Sequence, residues 1–265
     1  MRRLSGGLGL ALVAIVGLWL GLAARSAEAQ TCHTDSVAVG PACLDTHEAS
    51  VWETTNAGLI KKIKAGTATL ADLTAGATQR GVASDDYGAG CPDTGNGCKD
   101  FYAVSIPGVT PSAFLTWFQA AAAARNSGKR LPTNQEWQAA ALGTPDTGVS
   151  AAGSADCNTK NGGGVDTVVP TGSRSNCVSD VGASDMVGNL WEWVADWVPL
   201  STACPGWGGF SDDVMCLAGA FTTGGPGALL RGGSFSIGSK AGVFAVNGFD
   251  TLPNSNRFIG FRAAR

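Results

Sequence analysis

The spacing of the cysteines constrains this chain more than any other feature of its sequence. The eight cysteines are Cys32, Cys43, Cys91, Cys98, Cys157, Cys177, Cys204 and Cys216. An even number of cysteines without C-x-x-C pairs indicates disulfide bonds in an exported chain. Only two histidines, His33 and His47, are present, so a zinc cluster is not expected. Among the many possible connectivities we predict pairing in sequence order, 32–43, 91–98, 157–177 and 204–216, with each bond closing a short loop.

The first residues have the pattern of an export signal. Arg2 and Arg3 precede an apolar run over residues 8–22, and small residues at positions 27 and 29 resemble a signal-peptidase site. The apolar run is short for a membrane span, which argues against the alternative of a membrane anchor. We therefore predict a signal peptide over residues 1–29. A single domain would follow over residues 30–265, secreted or periplasmic, with no membrane span after cleavage.

Composition limits the fold class and the partners. The formal net charge is −3 and the basic residues are scattered, so the basic stripe that a nucleic acid would require is absent from the sequence. The 38 glycines indicate many turns and loops rather than a helical bundle. With short apolar stretches throughout, the sequence predicts one α+β domain with two helices and several short strands.

Residues typical of helix starts and ends locate the predicted helices, and apolar stretches locate the predicted strands. One helix is predicted to begin near Thr110 and Pro111, a favourable capping pair, and to end at Gly128. A second begins at Thr133, which has capping-box spacing to Glu136. A short helical patch is expected near residues 59–63, and long loops over residues 143–185. Strands are expected at residues 42–46 and in the stretches "NLWEWVADW", "ALLRGGSF", "AGVFAVNG" and "FIGFRAAR".

Four segments, in order, resemble one known family. They are "ACLDTHEASVWE", "GKRLPTNQEWQAAA", "DMVGNLWEWVADW" and "LRGGSF…IGFRAAR". Together they resemble the formylglycine-generating-enzyme (sulfatase-modifying factor) family over residues 40–265. The resemblance implies a C-type-lectin-like fold, with irregular mixed sheets, two helices and many loops.

The resemblance also shows which catalytic residues are missing. Family members that oxidise a sulfatase cysteine hold copper(I) with two cysteines just after R-G-G-S, and thiolates suit that soft ion. The matching positions here are Ile237 and Gly242, and no cysteine follows Cys216. Members that act on thiol-histidine substrates hold iron with histidines, and both histidines here lie outside the motifs. We therefore predict no catalytic residues and no copper, with a formylglycine-generating oxidoreductase as the alternative.

Calcium is the cofactor that the resemblance implies. A first structural site would use the side chains of Asp185 and Glu192 with carbonyls at Gly188 and Leu190, since Ca²⁺ prefers oxygen ligands. A second, with weaker matching, would involve Asn158, Thr159 and Asp166. The alternative for Glu192 is an ion pair with Arg231 or Arg262 and no metal, because a buried carboxylate needs a partner. In an extended strand, Trp191, Trp193 and Ala195 would share the face opposite to Glu192 and Val194.

The C-terminal segment resembles a non-catalytic branch of the same family, the variable proteins of diversity-generating retroelements. Small polar and aromatic side chains alternate between framework strands, a composition that suits a binding surface. The predicted ligand-binding residues are Ser236, Ile237, Ser239, Lys240, Asn247, Phe249, Asp250, Thr251, Asn254, Asn256 and Phe258. The ligand would be a protein or a glycan at a cell surface, and nucleic acid is not expected. A structural envelope protein is the remaining alternative.

Overall fold

The computed structural model describes residues 31–84, 86–160 and 167–265. The predicted signal peptide, residues 1–29, and Asp166 lie outside the described residues. In the described part the chain is α+β, with ten short strands in three sheets and four α-helices, which confirms the predicted fold class. None of the helices in these three ranges is long and apolar enough to cross a membrane.

The elements are short and separated by loops. The strands are β1 (Ser36–Val39), β2 (Ala42–Asp45), β3 (Ser50–Glu53), β4 (Thr78–Arg80), β5 (Phe101–Val104), β6 (Trp191–Val198), β7 (Met215–Cys216), β8 (Gly227–Arg231), β9 (Val246–Asn247) and β10 (Ile259–Phe261). The helices are α1 (Ala57–Lys64), α2 (Leu70–Gly76), α3 (Trp117–Asn126) and α4 (Asn134–Ala141). Of the stretch "AGVFAVNG", only β9 is a strand.

The five-stranded sheet has the order β10-β6-β8-β9-β7 and organises the C-terminal half. Its longest strand, β6, pairs parallel with β10 and antiparallel with β8. Trp193 packs in the largest core cluster, and Val194 packs in a second cluster across the sheet. The predicted alternation of faces along this strand is therefore confirmed. The other sheets are the β1-β2 hairpin and the order β4-β3-β5.

Helix α4 begins where the sequence predicted. The Thr133 hydroxyl accepts from the Glu136 backbone N–H and the Glu136 carboxylate accepts from the Thr133 N–H, so the capping box is present. Helix α3 ends as predicted, with Ser127 as its C-cap and Gly128 at φ 72°.

The predicted start of α3 is wrong. The helix begins at Trp117, after an N-cap at Thr116 that forms its own capping box with Gln119. The preceding backbone N–H groups serve other segments, since Ser112 donates to the Ala49 carbonyl and Phe114 donates to the Asn256 carbonyl. These long-range bonds keep residues 112–114 out of the helix.

The prediction of two helices is also wrong, because α1 and α2 add two more in the described residues. The helical patch predicted near residues 59–63 is confirmed by α1. Helix α2 buries only Leu73, so it has almost no apolar periodicity to detect. Its capping box between Thr69 and Asp72 was the signal that could have revealed it.

All four predicted disulfides are confirmed. Cys32–Cys43, Cys91–Cys98, Cys157–Cys177 and Cys204–Cys216 are bonded, and no cysteine is free. The bonds close loops with sequence separations between 7 and 20 residues. They therefore stabilise local loops.

Candidate functional site

The candidate site is the surface formed by residues 235–258, called here the C-terminal face. Of the eleven ligand-binding positions predicted on it, none is fully buried. Lys240 and Phe249 are exposed, and the other nine are half-buried. Side chains that are partly packed and partly open are held in place while remaining available for contact.

The base of the face is anchored by Arg231 at the end of β8. Its guanidinium donates to the carbonyls of Val243 and Ala245 and to the side-chain oxygens of Asn134 and Gln138. It also stacks 4.6 Å from the ring centroid of Trp137. Burial lowers the pKa of Arg231 to about 10, which leaves the guanidinium charged at neutral pH. Arg231 thus ties the end of β8 to α4 and to the loop before β9.

A carboxylate organises the turn after β9. Asp250 accepts from the side-chain amides of Asn247 and Asn254, and the side-chain Oδ1 of Asn247 accepts from the Phe249 backbone N–H. Burial raises the pKa of Asp250. These bonds occupy both oxygens of the Asp250 carboxylate within the turn. They also fix the backbone at Phe249, whose side chain is 39% exposed.

The second aromatic residue of the face is packed more closely. Phe258 is half-buried against Phe235, with ring centroids 5.2 Å apart. The exposed guanidinium of Arg257 lies 4.5 Å from the centroid of Phe258 and 5.6 Å from that of Phe235. Sequence reasoning did not include Arg257 among the ligand-binding residues. Its position directly before Phe258 was the available signal.

An apolar groove next to the face was also missed. Its cavity has a volume of about 430 Å³. It is lined mainly by Phe118, Trp197, Pro226, Thr251, Leu252 and Pro253. Trp197 is 50% exposed and meets the rings of Trp117 and Phe118 edge to face, at centroid distances of 5.3 and 6.2 Å. Phe118 of α3, Trp197 of β6 and two loop segments far apart in sequence form this groove, so no local pattern predicts it.

The two positions that match the copper cysteines are packed against other groups. Ile237 contacts two core clusters. A Cβ atom at Gly242 would lie well inside contact distance of the Asp213 carboxylate. Asp213 is 2% exposed, and its Oδ2 accepts from the Phe244 N–H at 2.8 Å. Burial, with repulsion from the Asp146 carboxylate, raises the pKa of Asp213 to about 6.

The strand residue predicted as a calcium ligand is paired with an arginine. Both oxygens of Glu192 accept from Arg262, at distances between 2.6 and 2.9 Å, and Oε2 also accepts from the Trp137 indole at 2.7 Å. The side chains of Arg262 and Glu192 are 0% and 1% exposed. The ion pair with Arg262 is thus the arrangement observed, and Glu192, which was predicted as a calcium ligand, has both carboxylate oxygens occupied.

Two other predicted ligands have free oxygens. Asn158 Oδ1 and Asp185 Oδ1 are buried and accept no hydrogen bond, although Asp185 Oδ2 accepts from the Gly172 N–H at 2.7 Å. Burial raises the pKa of Asp185 to about 6. Free oxygens of this type suit a hard cation. Within the described ranges, however, no group of three or more His, Cys, Asp or Glu side chains is arranged to hold a metal.

Close packing joins the two predicted calcium segments. Gly188 has a φ of 76°, and a Cβ there would collide with the Asn158 carbonyl oxygen. That oxygen accepts from the Asn189 N–H at 2.7 Å. The Thr159 hydroxyl instead bonds to the Ser150 and Gly148 backbone, and Leu190 N–H donates to Glu48. Calcium at either site stays a prediction.

Comparison with known proteins identifies relatives of the chain. The family model described as "Sulfatase-modifying factor enzyme 1-like domain" matches residues 47–265. A hercynine oxygenase from Mycolicibacterium smegmatis is 34% identical over 50% of this chain and 32% of its own length. A formylglycine-generating enzyme from Streptomyces coelicolor is 29% identical over 58% of this chain and 52% of its own length. The chain thus spans about a third to a half of these curated relatives.

Among solved structures, the Major Tropism Determinant U1 variant aligns with a TM-score of 0.46 and 22% identity. The alignment covers 87% of this chain and 52% of that one.

Proposed function

This chain belongs to the sulfatase-modifying factor enzyme 1-like family, and from that premise we propose that it is a non-catalytic ligand-binding protein. The C-terminal face would bind a protein or a glycan at a cell surface. The observation that carries the proposal is the packing at the two copper-cysteine positions. Ile237 is half-buried and packs against two core clusters, and the space beside Gly242 holds the Asp213 carboxylate.

The donor chemistry supports the same proposal. All eight cysteines of the sequence are in disulfides, and copper(I) needs thiolates. His47 is half-buried beside Gly172, and burial, with repulsion from Arg262, lowers its pKa to about 4. Iron of the kind used by related oxygenases is held by several histidines and hard ligands, and the sequence has only two histidines.

A rigid platform is what this scaffold offers for binding. The face is tied to the core by Arg231 and by the ion pair of Glu192 with Arg262. A side chain that is already ordered loses little entropy when it makes a contact. Four disulfides are also typical of an oxidising compartment, which supports our proposal that the protein is exported, to the periplasm or beyond the cell.

The competing oxidoreductase function is tested directly. The purified, oxidised protein is incubated with copper(I), oxygen and a cysteine-containing sulfatase peptide, with the Streptomyces coelicolor relative as the positive control. We expect no aldehyde by mass spectrometry. Aldehyde formed at a rate comparable to that of the control would overturn the proposal.

The binding function is tested on arrays of peptides and glycans. A variant carrying Lys240→Ser and Phe249→Ser removes the two exposed side chains among the predicted ligand-binding positions. The matched control is Val82→Ser, because Val82 is 51% exposed and outside residues 235–258. We expect the first variant to lose binding and the second to retain it. Equal binding by both variants would contradict a role for the face.

Diversification of the face is a finer part of the proposal. It is supported by the pattern of half-buried and exposed positions between framework strands. The expected genomic observation is a near-identical template copy of the 3′ coding sequence beside a reverse-transcriptase gene, differing at adenines. Without such a copy the diversification proposal fails, and the binding proposal stands.

Calcium is proposed as a structural ion at the two segments that contain Asn158 and Asp185, whose free oxygens support it. A bound ion stabilises the folded state by an amount that grows with its concentration, about 2.7 kcal/mol at a hundred times the Kd. We expect the melting temperature to rise with CaCl₂ in the parent and not in Asn158→Ala. An unchanged melting temperature in the parent at millimolar calcium would reject the ion.

A further inference from the structure

Arg257 stands out on the C-terminal face because its positive charge is ordered and unpaired. Its guanidinium lies against the rings of Phe258 and Phe235, and across the described ranges it makes no hydrogen bond or salt bridge. The nearby carboxylate of Asp250 is used by Asn247 and Asn254. A guanidinium stacked on aromatic rings keeps its edge donors free and aligned for a planar anion.

The apolar groove lies along the same segment of chain. Leu252 and Pro253 line the groove, and Arg257 follows Leu252 by five positions, which is at most about 17 Å of extended chain. Two backbone hydrogen bonds fix this segment beside the start of α3, from Trp117 N–H to Leu252 and from Phe114 N–H to Asn256, both at 3.0 Å. The groove and the guanidinium are therefore held at a constant separation.

Some of the polar groups of the C-terminal face are already hydrogen-bonded to one another. Asn256 Oδ1 accepts from the Phe258 N–H, Asn254 donates to Asp250, and the hydroxyl of Ser236 bonds with that of Ser234. A glycan needs many free donors and acceptors for its hydroxyl groups. An extended protein segment needs a few apolar contacts and its charge matched.

We propose that the C-terminal face binds an extended protein segment in which a carboxylate side chain pairs with Arg257 and an apolar side chain, about five residues or fewer away, enters the groove at Trp197. This inference rests on the proposed binding function and narrows its ligand class to an acidic-apolar peptide. The inference rests on the presence of an unpaired cation and an apolar groove on one rigid segment.

The test is a selection of random dodecamer peptides displayed on phage against the full oxidised protein. We expect the enriched sequences to carry Asp or Glu within about five residues of a Pro, Leu or aromatic residue. Synthetic copies should lose about tenfold or more in affinity on Arg257→Gln, which corresponds to about 1.4 kcal/mol. Arg257→Lys should recover only part of the loss, because lysine cannot pair bidentately. Trp197→Ala should weaken the same peptides.

The matched control is Arg125→Gln, which makes the same charge change at an exposed arginine in the last turn of α3. It should bind the peptides as the parent does. Weakening by Arg125→Gln equal to that by Arg257→Gln would show a non-specific charge effect and overturn the inference. Enriched peptides without acidic residues, or no enriched peptide at all, would also overturn it.

Failure of this inference and failure of the proposed function give different results. If the protein binds acidic glycans on an array and Arg257→Gln abolishes that binding, the face is a binding site and the peptide assignment is wrong. The protein could instead associate with itself through this face, which would be seen as concentration-dependent dimerisation that is lost in Arg257→Gln. In that case the acidic partner is a second copy of the chain. That result would also reject the inference as stated. If nothing binds and the aldehyde assay is positive, the proposed function itself fails.

Discussion

Arg262 and Arg257 lie five positions apart and are used in opposite ways. Arg262 is fully buried, and its guanidinium donates to both Glu192 oxygens and to the carbonyls of Asp45, Thr46 and Ser184. Arg257 is exposed, and among the described residues its guanidinium lies over two rings and forms no ion pair. The interior arginine can therefore act only on stability, whereas the surface arginine is available to a partner. The same separation of tasks distinguishes the scaffold from the C-terminal face.

The largest effect should come from breaking the interior pair. Arg262→Met leaves Glu192 charged and buried, and removing one partner of such a pair costs about 3–5 kcal/mol. Urea unfolding of the variant and the parent measures this loss of free energy of unfolding. The double variant Arg262→Met, Glu192→Gln should recover part of the loss, because the uncompensated charge is gone. If the single variant does not fold, recovery of folding in the double variant still supports the prediction. A loss below about 1 kcal/mol would show that the pair is not needed.

The next effect concerns the disulfide beneath the face. Cys157 and Cys177 form a buried cluster with Ala241, against which Ile237 packs. Replacing both cysteines by serine should lower the free energy of unfolding by about 3 kcal/mol, from the loop-closure entropy of the unfolded chain. Amide hydrogen exchange should also accelerate around residues 237–243. The Cys91–Cys98 bond closes a shorter loop and is the control, with a loss of about 2 kcal/mol and no acceleration there.

The half-buried His47 of the scaffold and the buried Asp213 beside the C-terminal face should give opposite pH dependences of the free energy of unfolding. Burial lowers the pKa of His47 from 6.5 to about 4, so the unfolded chain binds the proton first. The stability from neutral His47 is therefore lost as the pH falls from 6.5 towards 4. Burial raises the pKa of Asp213 from 3.8 to about 6, so the folded state binds its proton first. Asp213 thus stabilises the fold progressively as the pH falls from about 6 to 3.8.

Variants at these two positions separate the effects. Asp213→Asn should be more stable than the parent at pH 7.5 by roughly 1–3 kcal/mol, since a pKa shift of one unit corresponds to about 1.4 kcal/mol. The advantage should shrink as the pH approaches 4. His47→Gln should remove the loss that the parent shows between pH 6.5 and 4. Unfolding curves at several pH values measure both, and parallel pH profiles for both variants would contradict the opposition.

The smallest stability effect is expected at Arg257. A cation–π contact at an exposed site contributes about 0.5–1 kcal/mol, so Arg257→Gln should change the free energy of unfolding by no more than that. The contrast with Arg262→Met sharpens the comparison of the two arginines. A loss above about 2 kcal/mol in Arg257→Gln would mean that this arginine also belongs to the scaffold.

Local patterns predicted the elements whose causes are local. The capping box of α4 needs only Thr133 and Glu136, three positions apart, and the alternating faces of β6 follow from its backbone. The four disulfides join cysteines that are neighbours in the sequence order. The start of α3 was misplaced because the N–H groups of residues 112–114 bond to segments that are distant in sequence.

The sequence could outline the candidate surface only in part, for the same reason. The predicted ligand-binding positions lie in one segment with a distinctive composition, and the structure leaves all eleven at least partly open. The apolar groove joins Phe118 of α3 to Trp197 of β6 and to Leu252. Nothing in any one of these segments indicates that they meet. The partner of Glu192 was left open between two arginines, and only the parallel pairing of β6 with β10 places Arg262 beside it.

The sequence by itself determined the number and positions of the cysteines, the family resemblance, and the absence of cysteines at the family's copper positions, because each depends on which residue stands at which position. Only the tertiary structure decided that Arg262 is the buried partner of Glu192 and that Arg257 is displayed without one. The physical reason is that a charge must be paired where water is excluded, and the exclusion of water depends on how distant segments pack.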